Sequence, residues 1–582
     1  LVVDWMPVTR VVFAVVAVVA FALGYAGLDD YLRGQPGHGV LDLVYYDLQL
    51  FVLDSAPLQA GGPFPPALEV ARFAAPAATA YALAAAVQAI LARQVELLRM
   101  RRARGHTIVC GAQVHAGFLA RQLRVAGQRV VLIDPAPATR MAVSPPPPGV
   151  WHVVGDPRDP AVLRRAGAVR AREVVAITSD SAINAEVAVA MRELASTRRS
   201  TPVHCFAEVN DRDLCAALVA QTLIAHDAPH LRLEFFNPHD RAARSLVDRY
   251  PLPGDQDSAP CVLVVGAGRL GQAVVAELAR RWDQQRSSHG APPLNLCVLD
   301  ARVSAEHLRE RIPFVRAVGT FHARAADPAE VTSVAALMVP DSTGAARPPT
   351  HVYVCLGSDD DGMAFGLTAL RLLAASNPRP ELRLVIAVTN STVFGRVLTT
   401  PATSMPSLGP SQLCLHNVVE TVYSMDVMRR GIVEDIAKAV HERYARAAQA
   451  RGDTVQTNPS MVPWEGLPEH LKESNRSQVA DIGNKLRSIN CAVVPTTDAA
   501  PFAFRDDELD RLARLEHERW MRERTQQGWR YGSVRDDQRK LHPDLVDWAE
   551  LSDESAEKDR AAVRNIPRLL RAAGFQILRL EQ

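Results

Sequence analysis

The chain has 582 residues, 65 basic against 64 acidic; this is too long for one hydrophobic core at about 100–200 residues per domain, and it lacks the charge excess that draws a protein to nucleic acid. Apolar residues make up 48% but aromatics only 6%, so alanine, valine and leucine dominate, which favours α/β layers and apolar helices and excludes wholesale disorder. The eight cysteines are scattered without a CxxC pair and read as buried thiols of a reducing compartment; no Cys/His set has zinc-ligand spacing, and no metal is expected.

After Arg10 the chain runs uncharged and apolar for about 18 residues, through Leu28, just enough to cross a hydrocarbon core of about 30 Å. Asp29, Asp30 and Arg33 follow directly in place of the small-residue cleavage site of a signal peptide, so residues 11–28 are expected to be a retained span. Residues 73–92 form a second apolar stretch that meets Arg93, Arg99, Arg101, Arg102 and Arg104, an excess expected on the cytoplasmic side. Both termini and everything after Arg104 are then cytoplasmic, in a multi-pass protein of the cell (inner) membrane with residues of about 29–65 outside. Ala77, Ala78 and Ala80 permit close helix packing and association with further copies of the chain. Between the spans, residues 40–55 are apolar but carry Asp42, Asp47 and Asp54, as a re-entrant or interfacial helix would. This arrangement resembles the pore module of two-helix potassium channels, except that no TVGYG-type loop occurs. A membrane-dimerising anchor is the other reading of residues 1–104.

Residues 106–134 read as an apolar strand, a glycine turn, an amphipathic helix and a second strand ending in Asp134; residues 261–300 repeat the arrangement and end in Asp300. Each is the opening of a doubly wound α/β unit, so the chain contains a duplication. In the second copy Gly266, Gly268 and Gly271 complete GxGxxG, in which the first glycine makes the turn, the second admits a pyrophosphate and the third lets helix and strand pack closely, while Asp300 can hold ribose hydroxyls. In the first copy Gly111 is kept, but Gln113 and Ala116 replace the other two, so weaker binding is expected there. Gly155, Asp156 and Asn184 then fall in a GD-x-x-x-P turn and an Asn-containing helix start. In these features residues 106–405 resemble the regulator-of-potassium-conductance (RCK, or Trk-type NAD-binding) domain. The resemblance implies NAD(H) or another adenine nucleotide as ligand, ligand-gated regulation of an attached transport or pore element, and self-assembly as a homo-dimer or homo-tetramer; the gated module is expected to be ion-conducting or membrane-perturbing, with a non-conducting regulatory or scaffold subunit of a potassium transporter as the alternative. No nucleophile elbow, P-loop or HExxH accompanies the fold, and enzyme activity is not expected.

Proline- and serine-rich residues 401–410 precede a second duplication. VHERY at 440–444 is echoed by EHERW at 516–520, and Trp464, Leu467, Arg476, Ile482 and Leu486 align without a gap on Trp548, Leu551, Arg560, Ile566 and Leu570. The second copy carries GWRYGSVRDDQRKLHP at 528–543, which closely resembles the ryanodine-receptor repeat (RyR domain), with Ser533 where proline is usual. Its loop gathers Trp529, Tyr531, Arg535, Asp536, Asp537, Lys540 and His542 near Trp520, aromatic faces for a base and cations for phosphate. A nucleotide or nucleotide-derived second messenger is the expected ligand; local ion pairs, turn caps and core tryptophans are the structural alternative. The first copy replaces the loop with GDTVQTNPSM.

The expected architecture is thus two transmembrane helices in a membrane module (1–104), tandem Rossmann-like, RCK-like α/β domains (105–255 and 259–405), and two small α-helical RyR-type repeats (428–495 and 503–582). The expected partners are the lipid bilayer, further copies of the chain and a nucleotide, and no nucleic acid.

Overall fold

The computed structural model describes residues 6–33, 39–54, 58, 61–111, 113–135, 149–196, 202–224, 230–253, 259–312, 314–376, 382–389, 412–496, 502–536 and 538–580. It forms two compact units, Leu1–Arg102 and Ala103–Gln582.

The first unit contains helices α1 (Met6–Tyr31), α2 (Val40–Phe51) and α3 (Pro66–Arg102). By length and composition, α1 and α3 are apolar enough to cross a membrane, over Phe13–Tyr31 and Pro66–Gln88. Only 22% and 17% of those windows is buried. Val15, Val18, Val19, Phe73, Leu83 and Leu91 face outward, where the core helix of a soluble protein would bury them. Small residues let the helices meet: Ala20, Ala71, Ala75 and Ala78 are buried, and a Cβ on Gly27 would stand 2.5 Å from the Leu68 nitrogen. Ala77 and Ala80 face outward. With 12 residues, α2 is roughly 18 Å long, too short to span. It buries Leu43, Asp47 and Leu50 and exposes Leu41, Tyr45 and Leu48. Among the described residues, neither Asp47 carboxylate oxygen has a hydrogen-bond partner.

The second unit opens with β1 (Thr107–Cys110), helix α4 (Val114–Val125), β2 (Val130–Asp134), β3 (Trp151–Val154), β4 (Glu173–Ala176), β5 (Val203–Glu208) and β6 (Leu231–Phe236). These strands form one parallel sheet in the order β3-β2-β1-β4-β5-β6. β7 (Cys261–Val265), β8 (Leu294–Asp300) and β9 (Gly319–Ala325) follow, then a short hairpin of β10 (Val339–Pro340) and β11 (Ala346–Arg347), then β12 (His351–Val354), β13 (Arg383–Val388) and β14 (Gln412–Asn417). The second sheet repeats the doubly wound order, β14-β13-β12-β7-β8-β9. The central strands are buried along their whole length, which is why they read as continuous Val/Ile/Leu runs rather than alternating ones. The sixth strand, β14, lies beyond the boundary at residue 405 expected from the sequence. The proline- and serine-rich residues 401–410 fall outside the described residues, and the sheet resumes after them.

The two sheets exchange helices. Asn237 at the end of β6 accepts from the backbone N–H of His239 and Asp240, capping helix Pro238–Arg249. That helix places Ala243, Leu246 and Val247 in the core of the second sheet, among Val262, Val264 and Val274. Asn417 at the end of β14 likewise caps helix Val418–Val422 through the Glu420 N–H. There Val422, Tyr423, Met425 and Met428 enter the core of the first sheet, among Val109, Ala116 and Phe206.

The C-terminal repeats have one design. The first contains helices Ile432–Ala450, Glu469–Ala480 and Ile482–Ser488 and strand β15 (Cys491–Pro495). The second contains helix Asp506–Gln526, a loop with β16 (Arg530–Tyr531) and β17 (Leu541–His542), helices Asp553–Arg564 and Ile566–Ala572, and β18 (Phe575–Arg579). β15 pairs antiparallel with β18, Val493 opposite Ile577, so each repeat completes the other's sheet. Matching side chains make matching bonds: His441 Nε2 meets the Val462 carbonyl at 2.8 Å and His517 Nε2 the Val546 carbonyl at 2.9 Å, while Arg476 donates to Glu434 and Arg560 to Asp510, each at 2.6 Å. First-helix residues correspond at a spacing of 76 and residues after the loop at 84, which makes the second loop eight residues longer.

Candidate functional site

The second glycine turn lies where β7 gives way to its helix, at the point of the sheet where strand order reverses. Gly266 has φ +93, and a Cβ there would stand 2.6 Å from the Cys355 carbonyl oxygen at the end of β12; both facts demand glycine. Gly271 packs so closely that a Cβ would lie 1.8 Å from the Gly266 oxygen. Gly268, at the N-cap of helix Arg269–His289, has φ −65 and ψ −176, a conformation open to any residue, and nothing lies within 4 Å of its Cβ position. That open space faces the helix N-terminus, where backbone N–H groups and the helix dipole favour an anion. Asp300, at the end of β8, accepts from Ala267 N–H at 2.7 Å and from Arg302 N–H at 2.9 Å. Its carboxylate steadies the turn, and with about four lone-pair positions it retains capacity for a hydroxyl.

The first turn differs. Gly111 (φ +146) would put a Cβ 2.9 Å from the Ile177 oxygen, the counterpart of the Gly266 contact. Gln113 stands exposed at the N-cap without capping it, and Asp134 is buried at the end of β2. The exchanged segment packs against this turn. The Tyr423 ring lies parallel to His115 in the first turn of α4, centroids 4.9 Å apart, and its hydroxyl donates to Glu208 Oε2 at 2.8 Å. Burial pushes the Glu208 carboxyl up to about 6, against the lowering effects of the Tyr423 hydroxyl and Arg241. Counting from the two capping asparagines, the residue corresponding to Tyr423 in the second copy is Ala243. Sequence reasoning missed Tyr423, His115 and Glu208; the signal was the pair of strand-ending asparagines, Asn237 and Asn417. Asn184 is buried and structural, bonded to Thr178 and the Glu208 carbonyl.

In the loop of the second repeat, Trp520, Trp529 and His542 come together: the His542 ring is edge-on to Trp520 at 4.9 Å and to Trp529 at 6.1 Å. Arg524, which sequence reasoning did not select, lies over Trp520 at 5.9 Å and Trp529 at 5.0 Å; its signal was the i, i+4 spacing from Trp520. Two other selected residues, Asp536 and Lys540, serve the turn. Asp536 exchanges backbone bonds with Leu541 and accepts from Arg539 N–H at 2.9 Å. Lys540, in the left-handed region at φ +55, donates to the Gln527 carbonyl at 2.8 Å. Tyr531 and Arg535 are exposed, and Asp537 lies outside the described residues. Beneath the aromatic cluster, His517 is buried with Nδ1 3.2 Å from Asp559 and Nε2 on the Val546 carbonyl. Both nitrogens face acceptors, which suits the imidazolium. Burial lowers the affinity of this ring for a proton, but Asp559 and the Val546 carbonyl outweigh it and the pKa is raised. The residue corresponding to Asp559 in the first repeat is Asn475.

Comparison with protein families finds two matches. The TrkA-N domain matches residues 107–226, the first sheet from β1 to helix Arg212–Ile224, and the RyR domain matches residues 506–579, the second repeat through β18. The chain carries a TrkA-N domain and a RyR domain. Among solved structures it is similar to GsuK bound to ADP, at 14% identity over 72% of this chain and 96% of that chain, TM-score 0.37. It is also similar to the GsuK channel bound to NAD, at 12% identity over 87% and 89%, TM-score 0.37, and to the GsuK RCK domain, at 13% over 56% and 76%, TM-score 0.35. The TrkA-N match falls on the copy whose glycine turn carries Gln113 and is covered by Tyr423, whereas the complete GxGxxG belongs to the sheet that follows it. The RyR match falls on the repeat that bears the long loop.

Proposed function

We propose that the chain is a membrane-tethered, non-catalytic, ligand-sensing regulator of potassium transport, whose second α/β copy takes an adenine nucleotide, NAD(H) or a relative, at Gly266, Gly268 and Gly271, with Asp300 toward the ribose. The observation that carries this reading is the open Gly268 N-cap beside a sterically enforced turn, set against a first copy closed by Tyr423. Helix Arg269–His289 extends from that turn to the RyR repeats, where Gln284 Nε2 donates to the Ala572 carbonyl at 2.9 Å and Arg280 bonds the same oxygen. A ligand that favours one position of this helix therefore acts on the repeats as well, through its differential affinity for the two arrangements. The aromatic cluster of Trp520, Trp529, His542 and Arg524 receives a second planar, anionic ligand. Helices α1 and α3 both cross the membrane, leaving both termini on the cytoplasmic side, and the chain assembles with further copies of itself.

The test is potassium flux through the purified full-length protein in liposomes, with and without NAD(H) or ADP. Nucleotide-dependent flux supports a conducting assembly. Nucleotide binding without flux supports the alternative, a non-conducting subunit that acts on a separate potassium transporter. Absence of nucleotide binding overturns the reading.

A further inference from the structure

The two RyR-type repeats carry the same arginine in opposite electrostatic settings. In the second repeat Arg519 is enclosed by its own helix: it pairs with Glu516 at 2.8 Å and with Glu523 at 2.6 Å, three residues before it and four after. The corresponding residue of the first repeat is Arg443, and the positions corresponding to Glu516 and Glu523 are Val440 and Ala447. Both carboxylates are lost while the guanidinium is kept. Arg443 is half-buried at the junction of the repeats, and Nη2 donates to the Ala561 carbonyl of the second repeat at 2.6 Å. The charges facing it are all positive: Arg446 on its own helix, and Arg564 and Arg568 on the helices of the second repeat. Arg564 has one carboxylate partner, Glu557 at 3.0 Å. Among the described residues no carboxylate pairs with Arg443, Arg446 or Arg568. The first-repeat positions corresponding to Arg564 and Arg568 are Ala480 and Asn484, so the basic cluster is confined to one side of the paired repeats. Burial first, and then the three neighbouring cations, depress the Arg443 pKa.

We propose that this cluster of Arg443, Arg446, Arg564 and Arg568 is a binding site for a phosphate-bearing anion. Four guanidiniums from three helices present planar donors suited to bidentate recognition of phosphate oxygens, which a carbonyl acceptor on one of them does not exhaust. The anion takes the place that Glu516 and Glu523 occupy around Arg519. Because it bridges the first helix of one repeat to the last two of the other, its binding tightens the junction between the repeats.

The site is tested with the full-length protein and inorganic pyrophosphate as probe, by calorimetric titration at fixed ionic strength. Saturable binding is expected, weakened at least tenfold by Arg568→Gln and by Ala447→Glu, which restores the lost carboxylate at an exposed position. It is expected to be unchanged in Arg522→Gln, the counterpart of Arg446 on the compensated side. Absence of saturable binding, or equal binding by Ala447→Glu and wild type, overturns the proposal. Nanodiscs identify the source of the phosphate: pyrophosphate binding blocked in phosphatidylglycerol but not in phosphatidylcholine assigns a lipid headgroup to the cluster, and equal binding in both assigns a soluble phosphate.

Discussion

Two substitutions only three residues apart in sequence separate the steric from the binding function of the glycine turn. In Gly271→Ala the new Cβ would lie 1.8 Å from the Gly266 oxygen, about 1.5 Å inside ordinary contact. The obstacle is backbone, so helix Arg269–His289 must move away from β7, at a cost of about 3 kcal/mol or more. In Gly268→Ser the side chain enters open space on a backbone already at φ −65, and serine is a favourable N-cap; stability should change by no more than about 0.5 kcal/mol. The same side chain stands where a pyrophosphate would approach, so nucleotide affinity should fall at least about tenfold, or 1.4 kcal/mol. Thermal unfolding and calorimetric titration with NAD(H) and ADP on the full-length variants measure the two effects separately. If Gly268→Ser binds nucleotide as wild type does, or destabilises the protein as much as Gly271→Ala, the assignment of the turn is refuted.

Glu208 makes the first sheet pH-sensitive. Its folded pKa of about 6 exceeds the ordinary 4.5, so between those values the folded state keeps a proton the unfolded chain has released, and stability falls as pH rises, by about 2 kcal/mol in all. Glu208→Gln, which keeps an acceptor for Tyr423, should flatten that slope in thermal unfolding between pH 4.5 and 7 and be the more stable form at pH 7. His517 titrates with the same sign in a higher window: its raised pKa gives stability that is complete below the ordinary histidine value and is lost as pH rises through the folded value. Tryptophan fluorescence should report that titration through Trp520 and Trp548, and His517→Gln should abolish it; a titration that persists would place the sensing group elsewhere. Asp47→Leu should raise the thermal stability of the detergent-solubilised protein, because both carboxylate oxygens are buried without partners; a lower melting temperature would show that the carboxylate has a stabilising partner.

The glycine turns were legible because their sterics are local: the requirement at Gly266 and Gly271 comes from a strand and helix that the sequence itself delimits. The exchange of helices was not. Helix Val418–Val422 is only five residues long, β14 carries the polar residues Gln412, His416 and Asn417 among its six, and what decides their place is the surface of a sheet some 200 residues earlier in the chain. Tyr423 therefore had no reading until its partners His115 and Glu208 were adjacent. In the RyR loop, residue types pointed to a ligand, but sequence could not say which polar groups the turn itself engages. Lys540 is directed to the Gln527 carbonyl by its left-handed backbone, whereas Arg524, one helical turn after Trp520, reaches the aromatic rings.

The ion pairs at the middle of helix Arg269–His289 explain how one helix can connect the turn with the repeats. Glu277 is buried, and although burial raises its pKa, Arg280, Arg281 and Arg244 hold the carboxyl far below the usual range. Arg281 also pairs with Asp248 of the crossover helix at 2.7 Å, and Arg244 of that helix pairs with Asp435 of the first repeat. A buried cluster of this kind contributes little net stability, because desolvation offsets the attraction, yet removing one partner leaves a charge stranded and costs several kcal/mol. The cluster thus resists partial rearrangement. If the helix shifts at Gly268, the crossover helix and the first repeat must follow together through Arg244, while Arg280 and Gln284 carry the second repeat through Ala572. Under the proposed function, a ligand at the turn would therefore act through a concerted motion, as a change between two discrete arrangements requires.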